Sequence, residues 1–195
     1  MPTTLTPKLK KEYEDLFAAC VIRPEKQAAA DLLVNKIAAN QARYQTVAAA
    51  TTVPWYVVGV IHNLEGSLNF KTHLHNGDPL TARTVHVPKG RPLGTPPFTW
   101  ETSAADALQF DNLTTVKKWT LAMTLFRLEG FNGFGYRTKH PEVLTPYLWS
   151  FSNHYTKGKF VEDGKFDPLA VSKQCGAAVL LKVLSARGLI HIPLA

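Results

Sequence analysis

The apolar positions of this chain recur mainly at helical spacing. Leu9, Tyr13, Leu16 and Phe17 share one face of a helix that Thr6-Pro7 opens, because proline's missing N–H costs nothing in a first turn. "RPEK" interrupts that pattern, and an alanine-rich helix is expected over residues 25–49, with Leu32, Leu33, Ile37 and Tyr44 as its buried stripe. "TTVP" ends it, and Pro54 opens a third helix, "PWYVVGVIHNLEG". There Trp55, Val58, Ile61 and His62 share a face, and Gly66 is a C-terminal stop. Between residues 67 and 97 the period shortens. "NFKTHL" and "RTVHV" alternate around "HNGDPLTA", and Asn76-Gly77 is a strong turn signal, so a short β-hairpin followed by a Pro/Gly-rich loop is expected. Helical spacing returns in "TSAADALQF", capped by Thr102 or Ser103, and in "LTTVKKWTLAMTLFRLEG", apolar enough for a central buried helix. "FNGFGYRTKHP" and "GKFVEDGKFDP" read as loops, "EVLTPYLWSFSNHY" as a short aromatic helix broken at Pro146, and "AVSKQCGAAVLLKVLSARG" as the last helix. The pattern predicts a mainly α (α+β) fold with one small β-hairpin and no internal repeat.

Composition narrows the classes. The 195 residues suit one domain, or one domain with an extension, and 45% hydrophobic residues supply a sizeable core. Charged residues are only 19%, which argues against disorder. The formal net charge of +7 favours contact with anionic polymers. Lys and Arg are spread along the chain in short pairs such as Lys10-Lys11 and Lys117-Lys118, a diffuse field that does not point to nucleic acid. Cys20 and Cys175 lie far apart among apolar neighbours and are expected as buried free thiols. "MPTTLTPKLKKEYEDLF" lacks the apolar core of a signal peptide, and no run of about 18 apolar residues predicts stable membrane insertion. A protein of this kind acting outside the cytoplasm leaves by another route, with a release or export partner.

Four places offer chemistry. Glu65 follows the apolar run "WYVVGVIHNL". A carboxyl leaving such a helix into partly dry surroundings is held protonated, as a general acid for glycosidic cleavage requires. The alternative is a solvated helix-end glutamate. Asp78, in the turn "HNGDPL", is either a local turn residue or a second carboxylate aimed at Glu65 across a cleft. Carboxyl separations of ~5–5.5 Å or ~6.5–9.5 Å distinguish retaining from inverting hydrolysis. His62, His73, His75 and His86 invite a metal reading, with His62-x-x-Glu65 on a helix face and His73-x-His75 on a strand face. No zinc-hydrolase signature matches, so no metal and no cofactor are expected, and the histidines read as cleft lining. In "EGFNGFGYR", glycines let the backbone approach a ligand, and Phe131, Phe134 and Tyr136 offer faces for sugar rings beside Asn132.

Two of these segments together resemble the lysozyme superfamily, and within it the goose-type lysozymes and soluble lytic transglycosylases. Glu65-Gly66-Ser67-Leu68-Asn69 is similar, with one shift, to their "E-S-x-x-N". Gly130-Phe131-Asn132-Gly133-Phe134-Gly135-Tyr136 is similar to their "A-Y-N-A-G-x-G". "NLEGSLNFKTHLHNGDPL" and "PYLWSFSNHYTKGKFVEDGKFDP" resemble the phage and prophage "lysozyme family" proteins of bacteria over about residues 54–184. The "G-L-M-Q" motif of the transglycosylases is absent.

The resemblance implies a lysozyme-like helical domain with the hairpin as cleft wall. Residues 1–52 would be an N-terminal helical region packed on a catalytic domain at 53–195. It also implies a muramidase of endolysin or autolysin type acting on peptidoglycan glycan strands at the cell wall. Glu65 is its general acid, and Asn132 contacts sugar. Asp78 as the water-positioning group is an inference from the residues. His62, Asn69, His73, His75, Phe131 and Tyr136 complete the expected substrate-binding set. Other readings are a lytic transglycosylase, a chitinase-like enzyme, a catalytically silent wall-binding module, and a zinc-dependent wall amidase.

Overall fold

The structure is a computed structural model, and it describes residues 3–162 and 164–194. The chain is mainly helical, with one small two-stranded antiparallel sheet among the described residues. It divides into two compact units, residues 1–34 with 119–195 and residues 35–118.

The first unit holds α1 (Pro7–Ala19), α6 (Leu121–Asn132), α7 (Gly135–Lys139), α8 (Pro146–Trp149) and α9 (Ala177–Ala186). As read from the sequence, α1 opens on Thr6, whose hydroxyl accepts from Leu9 N–H at 3.2 Å. Helix α6 starts later than its apolar run predicted. Thr120 caps it, and residues 113–115 form a separate 3₁₀ turn. α6 packs on α1, α8 and α9, and Leu125, Leu128, Leu148, Leu180 and Leu184 fill the core between them. Seven of the ten residues of α9 are buried. Gly176, just before it, passes so close to the Leu148 carbonyl oxygen that a Cβ has no room. Cys20 and Cys175 are buried free thiols. The segment read as the loop "GKFVEDGKFDP" contains the sheet, in which β1 (Lys159–Glu162) pairs with β2 (Lys165–Asp167). Phe160 pairs with Phe166, and a register irregularity follows between Phe160 and Glu162. "FNGFGYRTKHP" is likewise no simple loop, since it completes α6 and forms α7.

The second unit holds α3 (Gln41–Thr51), α4 (Trp55–Gly66) and α5 (Trp100–Phe110). The single helix expected over residues 25–49 breaks at Asn40, giving α2 (Pro24–Ala39) and α3, with the unit boundary inside α2. Asn40 leaves helical geometry at φ −106°, ψ 14°, and its side-chain amide donates to the Lys36 carbonyl. α3 packs on both α4 and α5. Gly59 makes the α4 contact possible, because a Cβ there would lie 3.2 Å from Tyr44 Cε2 on α3 and 2.8 Å from Ile37 Cγ2 on α2. The cap of α5 is Thr99, three residues ahead of the nearer expected one, with Thr102 N–H as its donor.

The hairpin expected within residues 67–97 is absent. One antiparallel bridge, Thr72 with Pro79, closes around Asn76-Gly77, where Gly77 takes φ 81°. Beyond it the chain runs in turns to Thr99. The alternation that suggested strands places His73 and Leu74 in the core beside α5, while Val85 and Val87 stay exposed.

Candidate functional site

Glu65 stands at the end of α4, a helix with nine of its twelve residues buried. The preceding residues, from Tyr56 to Leu64, are fixed by the core, yet Glu65 itself is exposed. The helix stops in a double left-handed turn, Ser67 at φ 48° and Leu68 at φ 60°, whose N–H groups both donate to the His62 carbonyl. Gly66 lies against the His62 ring, with room for a Cβ only 2.9 Å from Cδ2. Glu65 therefore projects from a rigid mount into solvent. The dry surroundings expected from its apolar neighbours do not materialise, because those neighbours all turn inward.

His62 is a core residue and not cleft lining. It is fully buried, its ring centroid 4.5 Å from Phe70 and 4.4 Å from Trp100, with Nδ1 3.1 Å from the Tyr44 hydroxyl. Burial pushes its pKa down to about 4, so the ring is neutral near pH 7. Arg43 covers the same aromatic group, its guanidinium 3.9 Å from the Phe70 centroid and paired with Glu101 at 2.5 Å.

His73 and His75 are also turned inward, which removes them from any substrate surface. His73 is fully buried, with Nδ1 2.7 Å from Ser103 Oγ and Nε2 2.8 Å from the Ala82 carbonyl. The carbonyl needs a proton on Nε2, so His73 donates there and links the Ala82 backbone to Ser103 on α5. His75 places Nε2 2.8 Å from Asp106, and Arg91 grips the same carboxylate at 2.9 and 2.6 Å. Burial lowers the His75 pKa despite that carboxylate. Asn69 is exposed, and its side-chain oxygen accepts from Lys71 N–H. Among the described residues, no group of three or more His, Cys, Asp or Glu side chains is placed to hold a metal ion.

Asp78 is committed to its own loop. Oδ2 accepts from Val85 N–H at 2.7 Å and His86 N–H at 3.0 Å, and Oδ1 lies 2.6 Å from His86 Nδ1. The backbone bond from His86, reinforced by its side chain, brings the Asp78 pKa down to about 2. The turn-residue alternative describes these contacts. A water-positioning carboxylate needs an open oxygen facing substrate, and here the side chain is 8% exposed with three donors upon it.

The remaining sequence candidates lie in the first unit. There a cavity of ≈ 290 Å³ is lined by Asn132, Tyr136, Tyr147 and Phe160, with Lys139 and Lys159 among its cations. Asn132 is exposed at the end of α6, where Gly133 at φ 83° stops the helix. Tyr136 is 5% exposed. Its hydroxyl accepts from Phe160 N–H at 3.1 Å, and its ring meets Phe160 edge-on at 5.0 Å. Tyr136 thus both lines the cavity and holds the β1–β2 hairpin. Phe131 is half-buried and is not among the described residues that line this cavity.

Sequence reasoning missed one charged cluster in this unit. Glu129 is 1% exposed and takes a bond from the Tyr13 hydroxyl at 2.7 Å. Arg137 clasps it through Nε at 2.7 Å and Nη2 at 2.9 Å, while Nη1 reaches Glu12 at 2.7 Å. Burial raises the Glu129 pKa, opposed by Tyr13 and Arg137. The signal was a glutamate closing an apolar helical run eight residues before an arginine. Tyr13, at the other end of the chain, could not be paired with it by spacing.

No family model, curated protein or solved structure compared with the chain matches it.

Proposed function

We propose that the chain has a lysozyme-like arrangement and cleaves the bond between N-acetylmuramic acid and N-acetylglucosamine in peptidoglycan, with Glu65 as general acid. The observation that carries this reading is the mounting of Glu65: an accessible carboxylate at the end of an otherwise buried helix, locked by Ser67 and Leu68 onto the His62 carbonyl. Catalytic groups need a backbone held in place by the scaffold. A sugar seated over Glu65 excludes water there, so the desolvation that favours a protonated carboxyl arrives with the substrate. The similarity of Glu65-Gly66-Ser67-Leu68-Asn69 to the lysozyme pattern, and a net charge of +7 suited to an anionic wall, support the same reading.

Asp78 favours a second reading within the same chemistry. With its oxygens bound to Val85 and His86, no second carboxylate is assigned to a water. Attack by the muramyl residue's own hydroxyl, as in lytic transglycosylases, then needs Glu65 alone.

The test is digestion of purified cell wall by the full chain in the presence of EDTA, with mass spectrometry of the products. Release of disaccharide muropeptides is expected. Reducing ends mark hydrolysis, and anhydro-muramyl ends mark transglycosylation. Release of free peptides, or loss of turnover with EDTA, contradicts the proposal.

A further inference from the structure

Residues 84–94 of the second unit form a loop that is held open with its apolar side chains outward. Val87 is 87% exposed, Leu93 70% and Val85 64%. Loose backbone is not the cause. Thr84, 2% exposed, closes the neck: its N–H donates to the Arg91 carbonyl at 2.7 Å, its carbonyl accepts from Gly90 N–H at 2.8 Å, and its hydroxyl accepts from Arg91 N–H at 2.9 Å. Asp78 holds the Val85 and His86 amides from one side, and the Asn76 side chain donates to the His86 carbonyl at 3.1 Å. A loop with this many anchors, placed to cover its own valines, would have buried them. This one presents them.

Charge complements the exposure. Between Asp78 and Glu101 the sequence has no acidic residue, while Arg83, Lys89 and Arg91 are cationic. Arg91 is spent on Asp106. Arg83 and Lys89 are exposed; Arg83 donates to the Gly94 carbonyl from Nε at 2.9 Å, and neither has a carboxylate partner among the described residues. Along residues 83–93 the exposed Val and Leu side chains are interspersed in sequence with the exposed cations Arg83 and Lys89. They fit a fluid, negatively charged interface, which moulds itself around each side chain and supplies phosphates for the cations.

We propose that this loop docks the protein reversibly on the surface of an anionic phospholipid bilayer, Val87 and Leu93 entering the headgroup region while Arg83 and Lys89 meet lipid phosphates. The inference is independent of peptidoglycan cleavage, since it concerns binding alone. It gives an enzyme of the wall a way to remain at the membrane face of its substrate.

Co-sedimentation of the full chain with vesicles tests it. Binding is expected to vesicles rich in phosphatidylglycerol and to fall in high salt, with little binding to pure phosphatidylcholine. Neutralising Arg83 or Lys89 to Gln is expected to lower partitioning roughly fivefold each. V87D combined with L93D is expected to abolish it with the circular dichroism spectrum unchanged, because both side chains are exposed. In V87W the added tryptophan emission is expected to shift to the blue on binding. Absence of binding by the wild-type chain overturns the proposal, as does equal binding by the V87D/L93D variant. Concentration-dependent self-association of the wild type, lost in that variant, also overturns it by assigning the loop to a second copy of the chain.

Discussion

The Tyr13 hydroxyl donates to Glu129 Oε2 at 2.7 Å, joining α1 to α6 across 116 residues of sequence. Arg137 completes the pair from α7, so one buried carboxylate ties three helices of the first unit. Removing either donor weakens the compensation of a carboxylate that is itself 1% exposed. Tyr13→Phe is expected to lower stability by about 1.5–3 kcal/mol, the range for a hydrogen bond to a charged group. Arg137→Met strands the carboxylate and should cost about 3–5 kcal/mol. Urea unfolding measures both, and Arg137→Met coming out milder than Tyr13→Phe would show that the cluster is not the clasp described.

His62 predicts an acid-sensitive second unit. Its pKa in the folded chain is about 4, below the ordinary 6.5, so the unfolded chain binds the proton first as pH falls. Stability from this group is complete above pH 6.5 and is lost between pH 6.5 and about 4. The loss amounts to about 3 kcal/mol. Thermal unfolding of His62→Phe across that window should show a flatter pH dependence than the wild type. Identical slopes would remove His62 as the cause.

Asp78 separates loop clasp from catalysis. Asp78→Ala is expected to release the Val85 and His86 amides, seen as faster hydrogen exchange at those two positions, while wall turnover stays within about tenfold of wild type. In Asp78→Asn the side-chain oxygen still accepts from both amides, so exchange there should change little. A catalytic Asp78 gives the opposite pattern, with Asp78→Asn inactive and the loop intact.

Gly176 carries a backbone contact. Its missing Cβ lets α9 start against the Leu148 carbonyl, so Gly176→Ala forces α8 and α9 apart. A loss of about 2 kcal/mol or more is expected by chemical denaturation. A neutral substitution would mean that the two helices yield easily.

What the sequence disclosed follows from the range of the forces involved. α4 and α9 are buried nearly all round, so a dense apolar run sufficed to locate them. Thr6 announced α1 because capping is local. The break at Asn40 was hidden, since residues 25–49 are alanine-rich and lack proline and glycine. The β1–β2 pair escaped notice because it is four residues against three, with an irregular register that blurs alternation. The opposite error arose at residues 70–86, where alternation reflected histidines and a leucine entering the core without strand pairing. For the site, the apolar run placed Glu65 at the end of α4, while its exposure, the partners of Asp78 and the inward turn of His62, His73 and His75 depend on tertiary contacts that periodicity does not encode.

The central claim is that Glu65 delivers the proton. The most direct measurement is the rate of muropeptide release from purified wall by Glu65→Gln, with folding checked by circular dichroism. Glu65 is exposed, so the amide is expected to leave the fold intact while turnover falls at least about a hundredfold, the lower range for loss of a general acid. Retention of wild-type turnover by the folded Glu65→Gln protein would contradict the account.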